Sequence, residues 1–136
     1  MKTAIRYYSK FGHSAQMARV IGETMGVKPE SVETPLTDEV DILFIGAGVF
    51  LGKVNGSIKT FARTLDPQKV KKVVCFGSSA IIDSPVPQLR KIFEELGFNV
   101  DTASFTCRGS MGPLHSGHPN TADLQSLREF VEKYHK

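Results

Sequence analysis

Thr3-Ala4-Ile5-Arg6-Tyr7-Tyr8 runs straight into Ser9-Lys10-Phe11-Gly12-His13-Ser14, after which Met17, Val20, Ile21 and Thr24 recur at i, i+3, i+4, i+7. The first six residues are a short β-branched and aromatic run, which suits a strand. The next six hold a glycine between hydroxyl residues, which suits a tight turn. The apolar spacing that follows is one face of a helix. Strand, loop and helix in that order open a parallel α/β unit.

The same alternation continues outward from this stretch. Asp41–Val49, Val70–Gly77 and Val100–Cys107 are runs with apolar residues on both faces, as in a parallel sheet. Ser31–Thr34, between Pro29 and Pro35, suits an edge strand. Helical stripes fall on Ile58, Phe61, Ala62 and Leu65, and on Leu89, Ile92, Phe93 and Leu96, with Gly97 as a stop. A last helix spans about Thr121 to Tyr134, with Leu124, Leu127, Val131 and Tyr134 inward. Thr121 is placed to cap it, and Asp123 suits its positive end.

The order β-α-β-(short)-β-α-β-α-β-α predicts an α/β fold: a doubly wound, five-stranded parallel sheet with helices on both faces. Right-handed crossovers leave the strand order 2-1-3-4-5 as the best fit. Thr34 to Asp41 is too short for a full helix, so helix 2 is reduced to a loop. The 136 residues predict one domain, 1–136, with a single core.

Composition narrows the class. Apolar residues make up 40% and charged residues 23%, both ordinary for a globular protein. No apolar run reaches the ~20 residues that cross a bilayer, and the N-terminus has no secretory h-region. Cys75 and Cys107, far apart in a chain without a leader, read as reduced thiols of a cytoplasmic protein. A net charge of +3 is too mild to call for nucleic acid. Neither nucleic acid nor membrane is expected as a partner.

In open parallel sheets a ligand sits outside the carboxyl ends of the strands, at the switch in strand order. Here that switch lies between strands 1 and 3. The Ser9–Ser14 loop offers a glycine turn, two hydroxyls and a helix start, which together make a phosphate cradle that needs no metal. Strand 3 ends in Gly46-Ala47-Gly48-Val49-Phe50-Leu51-Gly52-Lys53, and strand 4 in Gly77-Ser78-Ser79-Ala80-Ile81-Ile82-Asp83. Two glycine-containing, mostly uncharged loops beside the cradle can clamp a flat ring, with Phe50 stacking on it; a plain packing aromatic is the alternative. Other doubly wound sites fail. Tyr7, Tyr8 and Val49 stand where a receiver domain needs acids, no cysteine opens a phosphatase loop, Phe11-Gly12-His13 is not a cobalamin motif, and no G-x-G-x-x-G opens the first helix.

Four further features have two readings each. His115, His118 and Cys107 suggest a metal cluster, but the intervening glycines and Pro113 favour an ordinary loop, so no metal site is expected. Cys75 and Cys107, on neighbouring strands, suit a redox pair or two small hydrophobes; the second is the expectation. Arg6 in strand 1 suits a snorkelling side chain at the sheet end or a subunit contact on the face that the missing helix leaves thin. Lys53, Lys59, Arg63, Lys69, Lys71 and Lys72 against Asp66 either ring the ligand site or form a solvated face.

The sequence resembles the flavodoxin family over nearly its whole length. Ile5-Arg6-Tyr7-Tyr8-Ser9-Lys10-Phe11-Gly12-His13-Ser14 resembles the family's first strand and its [Ser/Thr]-x-Thr-Gly-x-[Ser/Thr] phosphate loop. Asp41-Ile42-Leu43-Phe44-Ile45-Gly46 resembles the third strand, and Val73-Val74-Cys75-Phe76-Gly77-Ser78 the fourth. Phe105-Thr106-Cys107-Arg108-Gly109, with Gly117-His118-Pro119-Asn120, resembles short bacterial members, and no long insertion interrupts strand 5. The resemblance implies non-covalent FMN and one-electron transfer. It assigns the phosphate to Ser9, Lys10, Phe11, Gly12, His13 and Ser14. It assigns the isoalloxazine ring to Gly48, Val49, Phe50, Leu51, Gly52 and Lys53 on one side, and to Ser78, Ser79, Ala80, Ile81 and Asp83 on the other. Gly52 takes the place of the family's backbone contact to flavin N5. The chain departs from the family in Phe11 for the loop's inner Thr, in a second ring loop without Tyr, and in a basic rather than acidic charge.

The function implied is a carrier shuttling single electrons between a reductase and an acceptor. Its partners would be electron donor and acceptor proteins with acidic surfaces, and the chain a monomer or weak homodimer. The alternatives are an NAD(P)H-dependent flavin or quinone reductase on the same fold, and an FMN-binding module without redox turnover. No second nucleotide site is visible in so short a chain, which favours the carrier and gives no catalytic residues.

Overall fold

The first strand, β1 (Thr3–Tyr7), is paired in parallel on both sides, with β2 (Glu30–Ser31) and with β3 (Val40–Phe50). Strand β3 pairs in parallel with β5 (Val70–Ser79), and β5 with β6 (Val100–Arg108), so the order is β2-β1-β3-β5-β6. This computed structural model describes residues 1–10, 12–50, 52–79, 84–108 and 119–135, the side chain of Arg108 excepted. The expected order 2-1-3-4-5 holds, with one correction: the sheet has a sixth strand. β4 (Lys53–Val54) folds back antiparallel on the end of β3, pairing Val49 with Val54 and Phe50 with Lys53. Gly52, at φ 79°, takes the left-handed conformation that the reversal needs.

Helices α1 (His13–Met25) and α4 (Thr121–Glu132) cover one face, and α2 (Gly56–Arg63) and α3 (Val86–Glu95) the other. Strand alternation supplies both cores. Ile5, Ile42, Phe44, Val74 and Phe76 meet Met17, Ile21, Leu127 and Val131. Ala4, Leu43, Ile45, Val73 and Cys75 meet Ile58, Phe61, Leu89 and Phe93. Each large apolar side chain buried in these layers contributes about 1.5–3 kcal/mol. Gly46 is a packing glycine, because a Cβ there would overlap the Phe76 ring.

Three boundaries differ from expectation for local reasons. β2 is Glu30–Ser31 rather than Ser31–Thr34, because the Thr34 N–H turns back to the Ser31 carbonyl. α4 is capped by Asn120, not Thr121: the Asn120 side chain accepts from the Asp123 N–H and the Asp123 carboxylate accepts from the Asn120 N–H, both at 2.9 Å. The last helical residue is Glu132, and Tyr134 packs just beyond it.

Arg6 is 5% exposed, so it is neither a snorkelling side chain nor a surface contact. It points to the face of Ala4, where no helix follows β2. Its guanidinium donates to the carbonyls of Thr34 (3.0 Å), Pro35 (2.9 Å) and Ile5 (3.1 Å) and pairs with Glu30 at 3.4 Å. Backbone carbonyls turned toward the sheet still need donors, even in a half-exposed loop. One arginine fork supplies them where a full helix would have satisfied itself. Burial lowers the Arg6 pKa and Glu30 opposes that shift; the group stays charged.

The cysteines do not form a redox pair. Cys75 belongs to the α2–α3 core, whereas Cys107 packs in the α1–α4 core. Register places Cys75 beside Ser104 and Cys107 beside Ser78. Burial pushes both thiols up to about 12, so neither is a thiolate at neutral pH.

Candidate functional site

The switch between β1 and β3 falls where Tyr7 pairs with Gly46. One further ladder bond, from the Tyr8 N–H to the Gly46 carbonyl at 3.0 Å, carries β1 to the edge of the crevice. The chain then leaves the sheet at Ser9. The Ser9 Oγ is buried, and among the described residues it has no hydrogen-bond partner. A native structure rarely buries a hydroxyl unmatched, and such a group carries a cost of about 1–3 kcal/mol. Gly12 follows at φ 89° as the N-cap of α1, and no side chain caps that helix. α3 likewise has no side-chain cap, whereas Asn55 caps α2 and Asn120 caps α4. The positive end of α1 therefore begins three residues along the chain from the unmatched hydroxyl. Ser14, in the first turn, is buried, His13 is half-buried and Lys10 is exposed.

The second predicted wall also stands at this end. Phe50 is 37% exposed, so it is not a core aromatic. The Lys10 Nζ lies 3.8 Å from its ring centroid, joining the two predicted loops. Gly48 and Val49 are half-buried in β3, and Lys53 is exposed in β4. Gly48 pairs with Ser78 across β3 and β5, and Ser78 and Ser79 are buried. Ser79 also lines a cavity of about 460 Å³ with Ser84, Thr106 and Asp123 at the β5–β6 end. Phe11, Leu51, Ala80, Ile81 and Asp83, and likewise His115 and His118, lie outside the described residues.

Two residues that the sequence reading did not single out complete the site's frame. Gln88 on α3 accepts from the Val54 N–H at 2.8 Å and donates to the Gly52 carbonyl at 2.9 Å. It thereby holds the β3–β4 turn against the helix. Ser57, in the first turn of α2, has a second buried hydroxyl without a partner among the described residues. Gln88 sits beside Leu89 in the helical stripe, and nothing local in the sequence marks it as a clamp.

The basic stretch does not ring the site as a whole. Lys53 and Lys59 stand at the carboxyl end of the sheet, in β4 and the first half of α2. Arg63 is at the far end of α2, and Lys69, Lys71 and Lys72 are at the start of β5. Lys71 pairs with Asp41 at 3.2 Å and Lys72 with Asp101 at 3.9 Å.

No protein-family model and no curated protein sequence matches the chain. Solved structures do match. A flavodoxin from the domain Archaea superposes with a TM-score of 0.80 at 18% identity, over 98% of this chain and 95% of that one. The chain has the flavodoxin-like fold. Two-electron reduced Megasphaera elsdenii flavodoxin gives a TM-score of 0.67 at 21% identity, covering 96% of this chain and 98% of its own. The flavodiiron protein from Giardia intestinalis gives 0.73 at 11% identity over 97% of this chain, which spans only 34% of that protein. No helix among the described residues is long and apolar enough to cross a membrane.

Proposed function

We propose that this flavodoxin-like chain binds FMN without a covalent bond and carries single electrons between a reductase and an acceptor protein in the cytoplasm. The observation that carries the reading is the unmatched Ser9 Oγ beside the uncapped start of α1. A phosphate monoester supplies acceptors to both and carries the charge that a helix start favours. The residues fit that group: Ser9, Ser14 and the backbone from Gly12 onward would hold the phosphate, with Lys10 adjacent. Phe50 and the Gly48–Lys53 turn would hold one side of the ring, and Ser78 and Ser79 border its other side. When bound, the flavin supplies the one-electron chemistry. The chain's own residues bind it, orient it and keep one edge accessible to partners. Both described thiols are too basic to take part.

The visible absorption spectrum of the purified protein tests this, followed by titration of the flavin-free chain with FMN and with riboflavin. A flavin spectrum and a clear preference for FMN are expected; a colourless protein that binds neither would end the proposal. NADH or NADPH alone should reduce the loaded protein slowly, and a generic flavoprotein reductase should make reduction fast. Rapid bleaching by nicotinamide alone would move the chain to the reductase class.

A further inference from the structure

Strand β4 has only two residues, and a pairing that short has little stability of its own. One of its edges meets β3, through the pairs Val49–Val54 and Phe50–Lys53. In an extended strand the carbonyl of one residue and the N–H two residues on face the same edge. The Gly52 carbonyl and the Val54 N–H flank Lys53 in this way, and both bond to Gln88. The Gln88 Oε1 accepts from Val54 at 2.8 Å, and its Nε2 donates to Gly52 at 2.9 Å. One primary amide thus fills the place of a neighbouring strand's peptide group. Met, Glu and Lys, of similar length, do not offer a donor and an acceptor together at neutral pH.

The helix that carries Gln88 belongs to the other wall of the crevice. α3 follows β5, whose end holds Ser78 and Ser79, and Gln88 is the third residue of that helix. A Cβ on Gly77 would overlap both the Ala47 carbonyl and the Pro85 ring, so β3, β5 and the start of α3 are in close contact there. That contact joins the two proposed ring walls at their base. Gln88 joins them further out, tying the β3–β4 turn of one wall to the helix that follows the other. Displacing the turn from α3 breaks both of its bonds.

We propose that Gln88 is a positioning residue of the flavin site, a strut that sets the spacing between the Gly48–Lys53 turn and the end of β5. Its effect falls on recognition of the ring rather than of the phosphate, because both of its bonds go to the turn and neither to the Ser9–Ser14 loop. This inference rests on the FMN reading above.

Two substitutions divide the bonds. Gln88→Met keeps the length of the side chain and removes both. Gln88→Glu keeps the acceptor for Val54 and turns the donor into an oxygen that faces the Gly52 carbonyl. In the flavin-free protein, amide hydrogen exchange at Val54 should quicken about fivefold or more in Gln88→Met, the equivalent of one hydrogen bond lost. In Gln88→Glu it should stay near the wild-type rate. Binding is then titrated with FMN, riboflavin and lumiflavin, the last having the ring without the ribityl chain. Both variants should weaken all three by a common factor of about three to ten. The ratio of FMN to riboflavin affinity should stay as in wild type, whereas Ser9→Ala should change that ratio. Three results would overturn the proposal while leaving the FMN reading intact. Unchanged Val54 exchange in Gln88→Met would mean that the turn holds without the strut. Faster exchange beside unchanged riboflavin and lumiflavin affinities would make the amide a structural contact only. A loss confined to FMN would place its effect on the phosphate. Wild-type protein that binds none of the three flavins would overturn the FMN reading, and this inference with it.

Discussion

The two ends of the sheet are built on opposite principles. At the amino ends of the strands, charges meet partners: Lys2 pairs with Asp38 at 3.3 Å, Lys71 with Asp41, and Asp101 takes both Lys72 and the Tyr134 hydroxyl, the latter at 2.6 Å. At the carboxyl ends, polar groups are left waiting: the hydroxyls of Ser9 and Ser57 are buried without partners among the described residues, and α1 begins without a side-chain cap. Closed polar networks hold a fold, and open ones are what a ligand can complete. On the proposed reading, binding falls to the carboxyl ends and stability to the amino ends of the same strands, so substitutions should separate the two properties.

The largest effect should come from the device that closes the framework. Arg6→Met leaves the carbonyls of Thr34, Pro35 and Ile5 without their donor and Glu30 without its pair. The expected loss is about 2–4 kcal/mol, a fall in Tm of roughly 10 °C for a domain of this size. FMN affinity of the folded fraction should stay within about twofold, because the fork does not touch the Ser9–Ser14 loop. Thermal unfolding and flavin titration on the same variant check both halves. An unchanged Tm would mean that the loop after β2 closes without the arginine.

Ser9→Ala reverses the pattern. Removing an unmatched buried hydroxyl should leave the flavin-free protein as stable as before, or slightly more so. FMN binding should weaken by about tenfold or more, since a hydrogen bond to a charged phosphate is worth about 1.5–3 kcal/mol and each 1.4 kcal/mol is a factor of ten. Calorimetry of the flavin-free form beside FMN titration reads the two signs. A destabilised protein with unchanged affinity would place Ser9 in the framework and dissolve the contrast.

The amino end predicts a pH signature. Burial works to raise the Asp101 pKa, but the hydrogen bond from Tyr134, those from the Ala103 and Thr102 N–H groups and the charge of Lys72 outweigh it and hold the carboxyl low. The Tyr134 phenol is raised by burial first, then by its bond to Asp101 and the charge there. A depressed carboxyl contributes stability above its unfolded pKa near ~4, lost as pH falls through the folded value; a raised phenol contributes below ~10, lost as pH climbs beyond it. Tyr134→Phe should lower the plateau between these limits by about 1 kcal/mol and flatten both shoulders. Denaturant midpoints across the pH range check it. Shoulders that survive in Tyr134→Phe would assign them to other groups.

Most of the framework was legible because it rests on local apolar patterning. Short runs apolar on both faces located the long strands, i, i+3, i+4 stripes located the helices, and chain order then gave the sheet. The misses were cases in which distant partners decide the local structure. β4 exists because Gly52 turns the chain back and Gln88, more than thirty residues on, holds the turn. Arg6 looked out of place because its acceptors lie on a loop with no pattern of its own. The proposed phosphate loop is an expectation from composition, since a glycine, hydroxyls and a helix start are local. The Lys10–Phe50 contact was not legible, because it joins two loops that only the fold brings together.

The smallest effect should be the charge at the carboxyl end, and it offers the finest division between the two ends. Lys53 and Lys59 are exposed beside the proposed ring loop, while Lys69 and Lys71 are exposed at the start of β5. A ten-residue strand separates β5's two ends, roughly 30 Å at 3.3 Å per residue and well beyond a Debye length of ~8 Å. Two-electron-reduced FMN is anionic, so a nearby cation favours the second reduction step. A cation ~10 Å from a charge at an effective dielectric near 20 is worth roughly 1–2 kcal/mol before screening, and exposure cuts that severalfold. Lys53→Glu with Lys59→Glu should therefore lower the potential of the second step by a few tens of millivolts, taking about 59 mV per tenfold for one electron. The decrease should shrink as salt rises. Lys69→Glu with Lys71→Glu adds the same charge at the other end and should move the potential by only about a tenth of that, because the field is screened over the strand's length. Association with an acidic partner should slow with the first pair of substitutions and much less with the second. Spectroelectrochemical titration of both double variants at two salt concentrations decides the matter. Equal shifts from the two ends would mean that net charge, not position, sets the potential, and that the carboxyl end holds no electrostatic privilege over the flavin.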